Sequence, residues 1–192
     1  FAATSYEAGA ALSLRAASRE ALSEVVDKFD QVVADLDAAA LTSLADDLVA
    51  VVKLLSGEPG LTKLLATQAE DAAPKDRLVD RLFGGKLGAP AIDVLKTAAA
   101  QRWSVEANLI AALQHVARLA LLVRAERNDE GEEVEDQLFR FGRVLDAQPK
   151  LSALLSDYTT PAAGRIELLN NVLRAGGSVN DTAAALLAQT ID

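Results

Sequence analysis

LVAVVKLLSGEPGLTKLL (48–65) and LFRFGRVLDAQPKLSALL (138–155) decide the fold. Laid one over the other, Leu48 meets Leu138, Val51 meets Phe141, Leu55 meets Leu145 and Pro59 meets Pro149. Leu61 then meets Leu151 and Leu64-Leu65 meet Leu154-Leu155, always 90 positions apart. In each stretch the apolar residues recur at three- and four-residue steps, the period of a helix with one buried face. A proline opens a short second helix, where its missing N–H has no partner to lose.

The register extends in both directions. Lys75 falls on Arg165, Leu78 on Leu168 and Leu82 on Val172. A two-residue shift at the Gly-rich loop brings Val94-Leu95 onto Leu186-Leu187, and upstream Ala21-Leu22 and Val25 fall on Ala112-Leu113 and Val116. A repeat of this length exceeds the common solenoid periods and reads as a duplicated domain. The predicted fold is therefore all-α: a six-helix bundle over 1–128, then a partial second bundle over 107–192. The two share a long middle helix at 104–128, which would join them rigidly.

The remaining helices follow from their stops and starts. The first runs from about Tyr6 to Asp37, with Leu14, Ala17, Ala21, Val25, Phe29 and Leu36 on a wide apolar stripe. The second (41–56) stops at Gly57, the third starts at Pro59, and the fourth (71–83) closes at Gly84-Gly85. Pro90 opens a fifth that ends near Trp103, and Ser104 is placed to cap the sixth. The acidic run DEGEEVED (129–136) reads as a solvated linker into an acid-rich helix start. Helices from about 133, from Pro149, from Pro161 after a Thr160 cap, and from Asp181 after an Asn180 cap complete the chain.

Composition narrows the function. Of 192 residues 51% are hydrophobic but only 4% aromatic, so the cores must be packed with Leu, Val and Ala. A formal charge of -9 disfavours a nucleic-acid partner and an anionic lipid surface. The absence of cysteine removes disulfides, thiolate metal sites and thiol nucleophiles. ARLALLV (117–123), the densest apolar run, is broken by Arg118 and falls short of the roughly 20 residues a membrane span needs, so no membrane insertion is expected.

Catalytic constellations are missing as well. His115 is the only histidine, which leaves no imidazole pair for a metal and no nucleophile–base couple. The pairs Asp46-Asp47 and Glu132-Glu133 point to different sides of their helices. GEPG (57–60) and GGKLG (84–88) fit neither phosphate-loop pattern and no strand precedes them, so they are helix stops. Trp103 reads as a core or interface anchor. No catalytic residue, cofactor or metal is expected. The helices carry a surplus of apolar surface instead: Leu12, Leu14, Ala17, Ala21, Leu22, Val25, Val26 and Phe29 on the first, Ala91, Ile92, Leu95, Ala98 and Ala99 on the fifth. Such faces are either buried in their own core or leave a groove for another helix.

SREALSEVVDKF (18–29), LLSGEPGLTKLLATQAEDAAPKDRLVDRLF (54–83) and AIDVLKTAAAQRW (91–103) together resemble the delta subunit of F-type ATP synthases, the oligomycin-sensitivity-conferring protein family. The doubled unit resembles the actinobacterial form, in which delta carries an extra helical copy and is fused behind a b-type stalk segment. The chain departs from the family pattern at Ser18, where the family has tyrosine, and at Ala100-Gln101, where it has asparagine-glycine. The family's C-terminal domain is not among these residues and is expected beyond Asp192.

The resemblance implies a non-catalytic stator at the cytoplasmic face of the plasma membrane, linking the catalytic head to the b stalk. It also implies that an alpha-subunit N-terminal helix docks between the first and fifth helices. The positions carried over are Ala17, Ala21 and Val25 with Ile92, Leu95, Lys96 and Ala99. A second groove would use Ala112, Val116, Leu186 and Leu187. The competing expectation is a cytoplasmic all-helical adaptor with an unrelated helical partner.

Overall fold

The computed structural model describes residues 16–191, and the regular structure among them is entirely helical. The first five helices are α1 (Ala16–Val33), α2 (Ala38–Gly57), α3 (Pro59–Ala66), α4 (Ala73–Phe83) and α5 (Ala89–Ala100). There follow α6 (Glu106–Arg127), α7 (Gly131–Ala147), α8 (Pro149–Leu155), α9 (Ala162–Ala175) and α10 (Asp181–Ile191). The expected first-helix residues from Tyr6 to Leu14 lie outside the described residues. The chain divides inside α6 into two compact units, 1–120 and 121–192.

In the first unit α1 packs along α5, and α5 also lies against α2, α3 and α4. Ala21, Val25 and Phe29 on α1, Leu41, Leu44, Leu48, Val51 and Leu55 on α2, and Val79, Val94, Leu95 and Ala98 behind them are all buried. Asp37 caps α2, its Oδ1 accepting from the Ala40 N–H at 2.8 Å. The stop after α4 needs both glycines. A Cβ on Gly84 would stand 2.3 Å from the Asp80 carbonyl oxygen, and Gly85 has φ +76. Trp103 lies past α5, buried, with Nε1–H donating to the Ala98 carbonyl at 2.8 Å.

The second unit is built on Phe141, Leu155 and Leu169. Leu145, Leu151, Leu168, Val172, Leu173, Leu187, Ala188 and Ile191 pack around them, only partly buried. Asn180 caps α10 as expected: its Oδ1 accepts from the Thr182 and Ala183 N–H groups at 2.8 and 3.3 Å.

Three local expectations are corrected. Ser104 does not start α6, which begins at Glu106; its N–H donates instead to Ser18 Oγ at 2.9 Å. The Thr160 side chain does not cap α9; Pro161 holds the cap position with no side-chain bond, and the Thr160 carbonyl accepts from Arg165 Nε. The acidic run is mostly helix, because α7 already begins at Gly131, and Asp129 makes the turn with φ 59. One further expectation concerned length. α6, at 22 residues and a mean hydropathy of 1.3 in its most apolar window, is long and apolar enough to cross a membrane. It also holds Arg118 and buries Leu109, Leu113, Val116 and Leu121. A buried core helix passes the same test of length and composition.

Candidate functional site

α1 and α5 pack along each other, and burial decides which expected docking residues a partner can reach. Ala21, Val25, Leu95 and Ala99 are 2%, 0%, 0% and 1% exposed. All four are enclosed in the interior of the first unit. Ala17, Ile92 and Lys96 are half-buried, as are Leu22 and Val26 on α1. Ile92 and Lys96 lie one turn apart on α5, so they share a stripe. Of the second expected set, Ala112, Val116 and Leu186 are buried and Leu187 is half-buried.

Lys96 turns toward α4. Its Nζ stands 2.7 Å from Asp80 Oδ1, and Asp80 leads Asp76 and Asp93 in holding the ammonium above the ordinary lysine value. Both side chains of the pair are substantially exposed, so the pair itself adds little stability.

Beneath the surface lies a polar arrangement that the helical pattern does not reveal. The buried Lys75 ammonium donates to the carbonyls of Leu65 at 2.9 Å, Ala99 at 2.8 Å and Thr67. Leu65 and Ala99 lie at the last turns of α3 and α5, where carbonyls have no intrahelical donor. One cation thus closes two helix ends and meets the negative end of both dipoles. Burial lowers the Lys75 value from that of an ordinary lysine.

Arg165 does the same in the second unit. Its NH1 donates to Leu155 O at 3.3 Å and Ile191 O at 2.5 Å, and its Nε to Thr160 O at 3.2 Å. Leu155 and Ile191 are the last residues of α8 and α10. Another pair of bonds repeats in the same way. The Gly88 N–H donates to Asp47 Oδ2 at 2.9 Å, and the Asn180 N–H to Gln137 Oε1 at 2.7 Å. The sequence repeat aligns Lys75 with Arg165, but the helical pattern gives neither a role. The signal was available, since a cation in register with a cation inside an otherwise apolar pattern asks for a buried acceptor.

Ser18 ties the start of α1 to the segment before α6. Its buried Oγ accepts from the Ser104 N–H and from Asn108 Nδ2 at 2.8 Å. Among the described residues no group of three or more His, Cys, Asp or Glu could hold a metal ion.

No protein-family model matches the chain. Among curated proteins, ATP synthase subunit b-delta of Mycobacterium sp. strain KMS and its namesake from strain JLS are each 53% identical to it over 179 residues. The match takes in 93% of this chain and 40% of each relative, so the chain spans less than half the length of the proteins it matches. Over nearly all of its own length, then, this all-helical chain is similar to a stretch of ATP synthase subunit b-delta.

Proposed function

We propose that this chain is the helical, delta-like part of the peripheral stalk of an F-type ATP synthase, a scaffold without turnover of its own that holds the catalytic head against rotation. The observation that carries the reading is the 53% identity over 179 residues to proteins named ATP synthase subunit b-delta. The helical build suits the role. A stator resists torque by packing, and the first unit is closed by a continuous apolar core latched at its helix ends. Its place is peripheral, at the cytoplasmic face of the plasma membrane, with the b-type stalk as a second partner.

In this reading the first unit docks an amphipathic N-terminal helix of an alpha subunit along the margin of the α1–α5 seam. Ala21, Val25, Leu95 and Ala99 are enclosed and out of a partner's reach. Ala17, Ile92 and Lys96, with Leu22 and Val26, are the side chains a docked helix reaches. The second unit is a partial copy of the first. Supporting that view, Lys75 and Leu65 each lie 90 residues before Arg165 and Leu155, and Ala99 lies 92 before Ile191. The same two offsets relate Asp47 to Gln137 and Gly88 to Asn180.

Calorimetric titration of the chain with a synthetic alpha-subunit N-terminal peptide tests the reading. Saturable binding at one or two peptides per chain is expected. Ile92→Glu should weaken it about tenfold or more while circular dichroism stays unchanged, because the new charge lands in the apolar contact. Ala21 is a poor place for that test, since a charge at an enclosed seam position would open the bundle itself. A folded chain that takes up no peptide would turn the assignment toward an adaptor with an unrelated partner.

A further inference from the structure

We propose that the α4–α5 edge of the first unit selects its docked helix by charge, favouring one that carries a lysine or arginine beside its apolar stripe, whereas the second unit makes no such selection. The inference rests on the docking reading above and concerns the chemistry of the partner.

The edge is defined by groups that act on one another. Lys96 pairs with Asp80 at 2.7 Å, and Asp76 and Asp93 also bear on its ammonium. Three carboxylates thus share one cation. Ile92, half-buried one turn from Lys96, supplies apolar surface beside them. The Asp80 end of the pair is exposed and the Lys96 end partly so, so a cation arriving on a docked helix can share the carboxylates at small cost.

The second unit supplies the contrast within the same chain. Register there is fixed by the repeated latches: 90 residues separate Leu65 and Lys75 from Leu155 and Arg165, and 92 separate Ala99 from Ile191. Carried across, Asp76 becomes Ile166 and Asp80 becomes Asn170, while Asp93 becomes Ala185 and Lys96 becomes Ala188. Each of these four charged groups is replaced by an uncharged one, although the buried cation and two of its three acceptors are matched. Ile166, Asn170, Ala185 and Ala188 are all half-buried, a neutral surface that offers nothing to a cation.

The test uses the whole chain and two fluorescent amphipathic peptides that are identical except for lysine or norleucine beside the apolar stripe. The lysine peptide should bind about two- to fivefold more tightly at low salt, the range of an exposed ion pair. Raising the salt to several hundred millimolar should close that gap, since the Debye length falls toward a few ångströms. The double variant Asp80→Asn/Asp93→Asn should close it too, and Lys96→Gln should widen it by removing the competing ammonium. Equal binding of the two peptides, or a gap that persists in the double variant, overturns the charge selection but leaves docking intact. Binding of neither peptide to the folded chain overturns docking, and the selection with it.

Discussion

The two units keep the same latches but close their cores to different degrees. Lys75 and Arg165 each join the ends of two helices, and Asp47 and Gln137 each hold the backbone just ahead of the next helix. Around those fixed points the apolar positions diverge. Leu55, Leu95 and Ala99 are at most 1% exposed, while Leu145, Leu187 and Ile191 in the same register are only partly buried. The difference teaches which features set the register. A buried cation must meet its acceptors at hydrogen-bond distance, so it tolerates no slip. Leu, Val and Ile can trade volume and cover, so core positions are freer to differ.

Truncating paired core leucines should break the symmetry most strongly. Leu95→Ala empties a fully enclosed site and should cost about 3 kcal/mol, within the range for buried leucines. Leu187→Ala, half-buried already, should cost about 1 kcal/mol, because less contact is lost and water can fill the space. The units can be followed separately in urea. Trp103, the only tryptophan, reports the first unit by fluorescence, and circular dichroism reports both. Equal losses would mean that the second unit is packed as tightly as the first.

Removing the latches comes next. Lys75→Met leaves the Leu65 and Ala99 carbonyls buried without a donor and should cost about 2 kcal/mol, the scale of an unsatisfied buried acceptor. Arg165→Met should cost roughly half as much, because Thr160 and Ile191 are open enough for water to replace the lost donor. Reading the two losses from the fluorescence and dichroism transitions checks the order, and a larger loss at Arg165 would reverse the comparison.

A smaller effect is expected at the Asp47 and Gln137 bonds. Asp47→Ala and Gln137→Ala should each cost about 1 kcal/mol, as for a partly exposed hydrogen bond. Similar values by urea denaturation support equivalent roles. A loss confined to one unit would separate them.

How much of this the sequence discloses depends on the kind of contact. Helix ends set by Gly84-Gly85 and by the Asn180 cap are legible, because each acts through local backbone chemistry. The Ser104 cap was misread: α6 begins two residues later, at Glu106, while Ser18, 86 residues away, takes the Ser104 N–H. The docking residues show the same boundary. Periodicity places Ala21, Val25, Leu95 and Ala99 on apolar stripes, but a stripe does not say whether its own bundle or a partner covers it. Here α1 and α5 pack on each other and those four are enclosed, while Ala17, Ile92 and Lys96 stay half-buried. The latches were half legible: a matched cation is visible in the alignment, but its acceptor carbonyls belong to helices that only folding brings near.

The subtlest difference between the latches is their titration. Burial lowers the Lys75 value from the ordinary 10.5, while arginine stays charged throughout. Between the lowered folded value and 10.5 the unfolded chain holds a proton that the folded chain has released. The unfolded state then binds more protons, so the Lys75 contribution makes stability rise with pH across that window. Below the folded value the ammonium is charged in both states and the contribution is constant. Wild type should therefore gain stability over Lys75→Arg as the pH climbs through the window, read by Trp103 fluorescence in urea. Arg165→Lys should gain over wild type in the same range, if the second latch encloses its cation as the first does. A flat difference at position 165 with a rising one at 75 would show that the more open unit lets water reach its latch, which is the distinction the core positions already draw.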